Sequence, residues 1–179
     1  EGFTSNLFVG LFGILLSPGR SIFVYSPILA LAIPGAWLFY KKEKLLALSI
    51  VLTVLAYIIV VASWHDWDGG WTWGSRLLTP IVPLLGFLIA PVLRAAKGKK
   101  VEMVLILTLA TLGLLVQCLA IARSPIATLV ESVFSGNVKY YETLISIDHS
   151  FIALQLRSLQ NWQWCDLDAY TLRQWLACP

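Results

Sequence analysis

The sequence predicts an all-α integral membrane protein: four transmembrane helices, an N-terminal interfacial or re-entrant helix, and a helical extracytoplasmic tail. Three observations predict it. The chain is 58% hydrophobic and 13% charged, against about 25% charged in average soluble domains, and its mean hydropathy is positive. Four apolar runs reach the length of about 20 residues that a helix needs to cross a bilayer core. Basic residues gather in short turns at one end of those runs, as cytoplasmic loops do.

The first segment is residues 1–21. The chain opens Glu1-Gly2-Phe3, with no initiator Met and no signal-peptide n-region, and reads as the C-terminal part of something longer. Leu7 to Leu16 is apolar over about ten residues, too short to span. It reads as an interfacial or re-entrant helix, or as the end of a span that starts upstream. Ser17-Pro18-Gly19-Arg20 is a turn opening a helix near Ser21. Backbone N–H groups at a helix start bind anions, and Arg20 adds full charge. An ordinary capped turn with a headgroup-facing arginine accounts for the same residues.

A membrane domain follows at residues 22–122. Its spans are about 22–40, carrying Pro27 and Pro34; 45–62; 77–93, carrying Pro80, Pro83 and Pro91; and 101–122, free of proline. Cys118, inside the last run, reads as a buried small residue. Lys41, Lys42 and Lys44 fill the first short turn, and Arg94, Lys97, Lys99 and Lys100 the last. The positive-inside rule makes that side cytoplasmic. Both visible ends then face outward. The net charge of +3 is small and no basic stripe lies outside these turns, which argues against nucleic acid.

Residues 123–179 form the outward tail. Ser124-Pro125 is a helix start, with Ser as N-cap and Pro in the first turn. Ser135-Gly136-Asn137 is a turn. His149 to Gln160 is compatible with a helix lying on protein or lipid. Trp162, Trp164 and Trp175 suit an interfacial belt. Cys165 and Cys178 are free to pair if the tail lies in an oxidising compartment, although spacing does not decide it. No Cys/His spacing suits zinc.

Between the second and third spans lies "WHDWDGGWTWGSR", residues 64–76. One reading is an aromatic girdle in which tryptophans anchor two span ends. It leaves Asp66 and Asp68 beside His65, and the Gly-Ser-Arg step into the third span, without a role. Arg76, just before Leu77, stands near the outer face. A guanidinium there either forks onto a phosphate or snorkels to headgroups. Arg20 and Arg76 sit on the same face, so both readings extend to a shared anionic lipid head.

"SPGRSIFVYSP" and "WDGGWTWGSRLLTPIVPLL" together resemble the C-terminal half of bacterial polyprenyl-phosphate-dependent glycosyltransferases. These are GT-C type membrane proteins related to protein O-mannosyltransferases and aminoarabinose transferases. Ser17, Pro18, Gly19, Arg20, Tyr25, Ser26 and Pro27 match the first part of the pattern. Gly69, Gly70, Trp73, Gly74, Arg76, Leu77, Pro80 and Pro83 match the second, with Ser75 in place of the usual proline. The resemblance covers roughly residues 3–95 well and the remainder loosely.

The resemblance implies transfer of a sugar from a polyprenyl-phosphate donor at the outer face of the bacterial inner membrane. It implies carrier-phosphate contacts for Arg20, Arg76, Ser17 and Gly19, and lipid or sugar contacts for Trp71, Trp73 and Tyr25. It assigns no catalytic residue here, because the acidic loop of such enzymes belongs to an N-terminal half that this sequence does not include. Asp66 and Asp68 do not match that position. No metal and no cofactor is implied; the carrier is substrate. The expected partners are membrane lipid, the polyprenyl-phosphate carrier, and other membrane subunits or the N-terminal half. The competing expectation is a non-catalytic transmembrane scaffold of a larger complex. In a pigmented complex, His65 or His149 would be the candidates to ligate a tetrapyrrole metal.

Overall fold

The computed structural model describes residues 2–136 and 138–161, and among them all regular structure is helical. The first helix, α1 (Leu7–Leu16), starts where the Asn6 side chain accepts from the Phe8 amide at 3.0 Å. Ten residues rise only about 15 Å. Both flanks of α1 meet the same loop. The His65 amide donates to the Gly2 carbonyl at 3.0 Å, and Arg20 reaches the Gly74 carbonyl at 3.1 Å. In between, a Cβ on Gly10 would fall 2.0 Å from the Ala62 carbonyl oxygen, and one on Gly13 would fall 1.9 Å from the Trp67 ring. Two glycines therefore let α1 lie directly against the loop end of the second apolar run.

The first apolar run does not form one continuous helix. It divides into α2 (Ile22–Tyr25), a 3-10 segment (Pro27–Leu31) and α3 (Ala32–Tyr40). Proline disfavours the helical region for the residue before it, and Ser26 adopts φ −144°, ψ 73°. The break is repaired from outside: Gln117 Nε2 donates to the Tyr25 carbonyl at 3.0 Å. α3 then packs on the third run through Gly35, where a Cβ would lie 1.9 Å from the Leu88 carbonyl oxygen.

Three helical stretches are long and apolar enough to cross a membrane: α4 (Lys44–Ser63), Arg76–Ala95 and Lys100–Ala122. They coincide with the other three apolar runs. The second of them opens as a 3-10 segment (Arg76–Ile81) and continues as α5 (Val82–Ala95). Pro80 has no N–H to return to Leu77; the Tyr57 hydroxyl of α4 donates to that carbonyl instead, at 3.0 Å. The last, α6 (Lys100–Ala122), stands at the edge and buries little of its surface: 11% of its apolar window, against 28% for each of the other two. Cys118 accordingly is exposed on α6, correcting the expectation of a buried residue. In a membrane, an apolar run marks contact with lipid as readily as contact with protein.

A cap of three short helices closes the loop end: α7 (Pro125–Phe134), α8 (Tyr140–Ile145) and α9 (Phe151–Ser158). Ser124 caps α7 and Pro125 occupies its first position. Ser150 caps α9. Gln155, fully buried in α9, donates to the carbonyls of Leu119 (3.0 Å) and Arg123 at the end of α6, where the helix has no amides left to offer. One apolar core joins α1 to α6 through Ile14, Ile22, Leu29, Val54, Leu78 and Leu88. A second joins the cap to Tyr25 through Leu129, Val138, Phe151 and Leu154. Trp162, Trp164, Trp175 and the expected Cys165–Cys178 pair lie outside the described residues.

Candidate functional site

The loop between α4 and Arg76 is built by its glycines. Gly69, Gly70 and Gly74 take φ of 73°, 67° and 62°, a left-handed region that costs glycine nothing. These turns aim backbone carbonyls at Arg20, whose side chain is fully buried. Arg20 Nη1 donates to the carbonyls of Thr72 and Gly74, and Nη2 to that of Gly70 and to the Tyr140 hydroxyl at 3.3 Å. Asp68 lies 3.9 Å away as counter-charge and accepts from the Tyr140 hydroxyl. The Phe151 ring covers the guanidinium at 4.3 Å. The Ser75 hydroxyl returns a bond to the Arg20 carbonyl. The planar fork of its terminal N–H groups and weak hydration suit arginine to such a cage.

The loop therefore does fold beside Ser17–Arg20, but Arg20 and Arg76 do not converge on one open space. The two terminal nitrogens of Arg20 are spent on the loop and on Tyr140, while its Nε, also buried, has no hydrogen-bond partner among the described residues. The amides of its turn are engaged too: Gly19 donates to Leu144 (3.3 Å), Arg20 to Ser17 Oγ (3.1 Å) and Ser21 to the Ser17 carbonyl (3.0 Å). The physical reason is desolvation. A buried guanidinium must find acceptors, and the left-handed turns present them. Gly19 is required for contact with the cap, since a Cβ there would sit 2.1 Å from the Thr143 carbonyl oxygen.

Arg76 is the arginine left open. It is exposed, and among the described residues it has no hydrogen-bond or salt-bridge partner, its side chain lying along Gly69. It borders a cavity of about 200 Å³ with Tyr25, Ser26, Trp73, Thr79 and Gln117. Ile22 and Leu29 form a wall of this cavity, and the same two residues line a second one of about 390 Å³ between α3, α4 and α5. That second space is walled by side chains such as Phe23, Ile33, Leu55 and Leu88. A hollow of mixed polar and apolar lining thus adjoins an apolar one across a shared wall.

Each tryptophan of the loop packs on protein. Trp64 meets Phe3 edge-on at 5.4 Å, and Trp67 covers Gly13. Trp71 stacks on Phe134 and Tyr140 of the cap at 5.9 and 5.2 Å. Trp73 stands edge-on to Tyr25 at 5.1 Å and lines the Arg76 cavity. Asp66 is held above the usual carboxylate range, by partial burial first and by neighbouring Asp68 second, with Arg76 and His65 pulling the other way. The Tyr140 hydroxyl is pushed up by burial and by its bond to Asp68. His65 packs against Trp64, and His149 lines a cavity in the cap. Among the described residues no group of three or more His, Cys, Asp or Glu side chains is placed to hold a metal ion.

Sequence reasoning missed Gln117, Gln155, Tyr140 and Phe151. Gln117 had a signal, because a polar side chain inside an apolar run needs a partner. Tyr140 and Phe151 had none: their roles exist only once the cap folds back over Arg20. Compared with protein-family models, curated proteins and solved structures, the chain matches none.

Proposed function

We propose that this chain is the lipid-carrier-binding part of a membrane glycosyltransferase that takes a sugar from a polyprenyl-phosphate donor at the outer membrane face. The observation that carries the reading is Arg76, without a hydrogen-bond or salt-bridge partner among the described residues, beside a hollow of mixed polar and apolar lining that shares the Ile22–Leu29 wall with an apolar one. An isoprenoid phosphate has that polarity: a charged head for Arg76, Ser26, Thr79 and Gln117, and an apolar chain for the space between α3, α4 and α5. A phosphate leaving group gains from a nearby cation as charge develops on it. Arg20 then acts as a positioning residue that holds the loop, and Arg76 as the contact. No side chain of this chain is assigned to the chemical step.

The topology belongs to the same proposal. Ile22–Tyr40 runs from the loop end of α4 to its lysine end, so it crosses the same depth as α4 and supplies a fourth, broken span. Broken helices are tolerated at membrane depth where they line a cavity, and this one lines both. The lysine turns face the cytoplasm, and the cap faces outward from the bacterial inner membrane. The sparsely covered α6 offers the face on which an N-terminal half or another membrane subunit would pack.

The test is polyprenyl-phosphate binding by the chain in phosphatidylcholine nanodiscs. Arg76→Ala is expected to weaken it by about 1.5 to 3 kcal/mol, the range for a hydrogen bond to a charged group. Parent protein that retains polyprenyl phosphate no better than phosphatidylcholine, or an Arg76→Ala variant that binds like the parent, would overturn the reading.

A further inference from the structure

We infer that the cap carries a second ligand site, for a phosphate ester of a hydroxylated molecule. The site is a cavity of about 470 Å³ between α7, α9 and the end of α6. It is distinct from the Arg76 hollow and does not rest on the carrier reading. Three nitrogen-bearing side chains line it: Arg123, Arg157 and His149. Among the described residues a single carboxylate opposes them, Glu131, which sits 3.3 Å from Arg123 and is largely exposed. Arg157 has no hydrogen-bond or salt-bridge partner among the described residues. The cavity is thus cationic, with one guanidinium uncommitted, and a guanidinium fork matches a phosphate.

The serines define the rest of the ligand. Ser132 Oγ donates to the Thr128 carbonyl at 2.8 Å, and Ser158 Oγ to the Gln155 carbonyl at 2.7 Å. Each hydroxyl has spent its proton inward on its own helix. What it offers the cavity is acceptor lone pairs. An anion alone would gain nothing from those oxygens; a ligand with hydroxyl donors beside its phosphate satisfies both sets. Val138 and Leu154 supply apolar wall for a carbon skeleton. Thr128 and Leu154 also border a narrow void that Trp73 borders from the other side. The site therefore stands about one side chain away from the Arg76 hollow.

This chemistry has two sources, a soluble polyol phosphate and the head group of phosphatidylglycerol, since Arg123 stands at the end of an apolar helix. Two arms separate them. In the first, the full chain in phosphatidylcholine nanodiscs is titrated calorimetrically with glycerol 3-phosphate. In the second, native mass spectrometry compares retention of phosphatidylglycerol with that of phosphatidylcholine. Binding in the first arm identifies a soluble ligand; selective retention in the second alone identifies the lipid. In whichever arm binds, Arg157→Gln should weaken binding tenfold or more, Arg157→Lys should lose less, and Arg76→Ala should change nothing. Arg157 is exposed and has no hydrogen-bond or salt-bridge partner among the described residues, so its substitution leaves the fold intact, and an unchanged melting temperature checks this. Ser132→Ala, with a smaller loss, is the second variant. No binding of either probe by the parent, or parent-like binding by both Arg157→Gln and Ser132→Ala, overturns the site while leaving the carrier reading untouched.

Discussion

The guanidinium of Arg20 lies 4.3 Å from the centroid of the Phe151 ring, which joins a turn before the first long apolar run to a helix 131 positions later. The contact closes a cage whose other walls are carbonyls of the 64–76 loop. Loop and cap are thereby tied at one side chain to the turn that opens α2.

Arg20→Ala should cost about 3 to 5 kcal/mol, the range for breaking a buried charge pair, since it also removes the counter-charge of Asp68 and leaves three carbonyls without their donor. Arg20→Lys should recover only part, because an ammonium cannot serve spread-out carbonyls in one plane. Thermal unfolding in detergent is the measurement. A melting temperature equal to the parent's would remove the cage from any role in stability.

Gly19→Ala and Gly35→Ala should each destabilise by about 1 to 3 kcal/mol through overpacking, because each Cβ would press on a backbone carbonyl at 2.1 or 1.9 Å. Gly86→Ala is the control, with nothing within 4 Å of its Cβ, and should be neutral or slightly stabilising. Equal behaviour of all three would show that the close approaches are not present in the folded protein.

The Asp66 carboxyl should titrate above ordinary aspartate, and Asp68→Asn should bring it down by removing the neighbouring charge. The sign follows from linkage: a raised carboxyl binds its proton more tightly folded than unfolded, so this group disfavours the fold above its folded pKa and ceases to do so as pH falls below its unfolded value. Carboxyl-carbon NMR on labelled aspartate reads the midpoint. A midpoint at or below the ordinary value would contradict the geometry around Asp66.

Lys42→Cys and Lys99→Cys should resist a membrane-impermeant thiol reagent applied from outside, and Ser135→Cys in the cap should react. Cys118, Cys165 and Cys178 are replaced by Ala first, so that only the introduced thiol reports. Labelling of the lysine-turn positions from outside would reverse the proposed orientation.

Arg76→Lys should bind polyprenyl phosphate with an affinity between parent and Arg76→Ala, because charge is kept and the fork is lost. A lysine variant equal to the parent would mean that simple charge, as in headgroup snorkelling, accounts for this position.

The apolar runs, the proline-free last helix, the Ser124-Pro125 start and the lysine turns could all be read along the chain, because each depends on residues within a few positions of one another. Transfer of a helix into lipid is a local property, set by about 20 consecutive side chains. The same locality made Ile22–Tyr40 look like a single helix. Pro27 was visible, but the break it causes is viable only because Gln117, 92 positions from Tyr25, supplies a donor to the freed carbonyl.

The fate of the two arginines was decided in three dimensions alone. On the page Arg20 and Arg76 are alike, each ending a glycine-containing turn at the same face. Burial separates them. Arg20 falls under the cap, where desolvation obliges its guanidinium to take protein acceptors, and the left-handed Gly70 and Gly74 turn theirs toward it. Arg76 falls at the rim, where water satisfies it and a ligand can displace that water. A sequence states which residues carry charge; which charge is spent and which is available depends on what the folded chain lays over it.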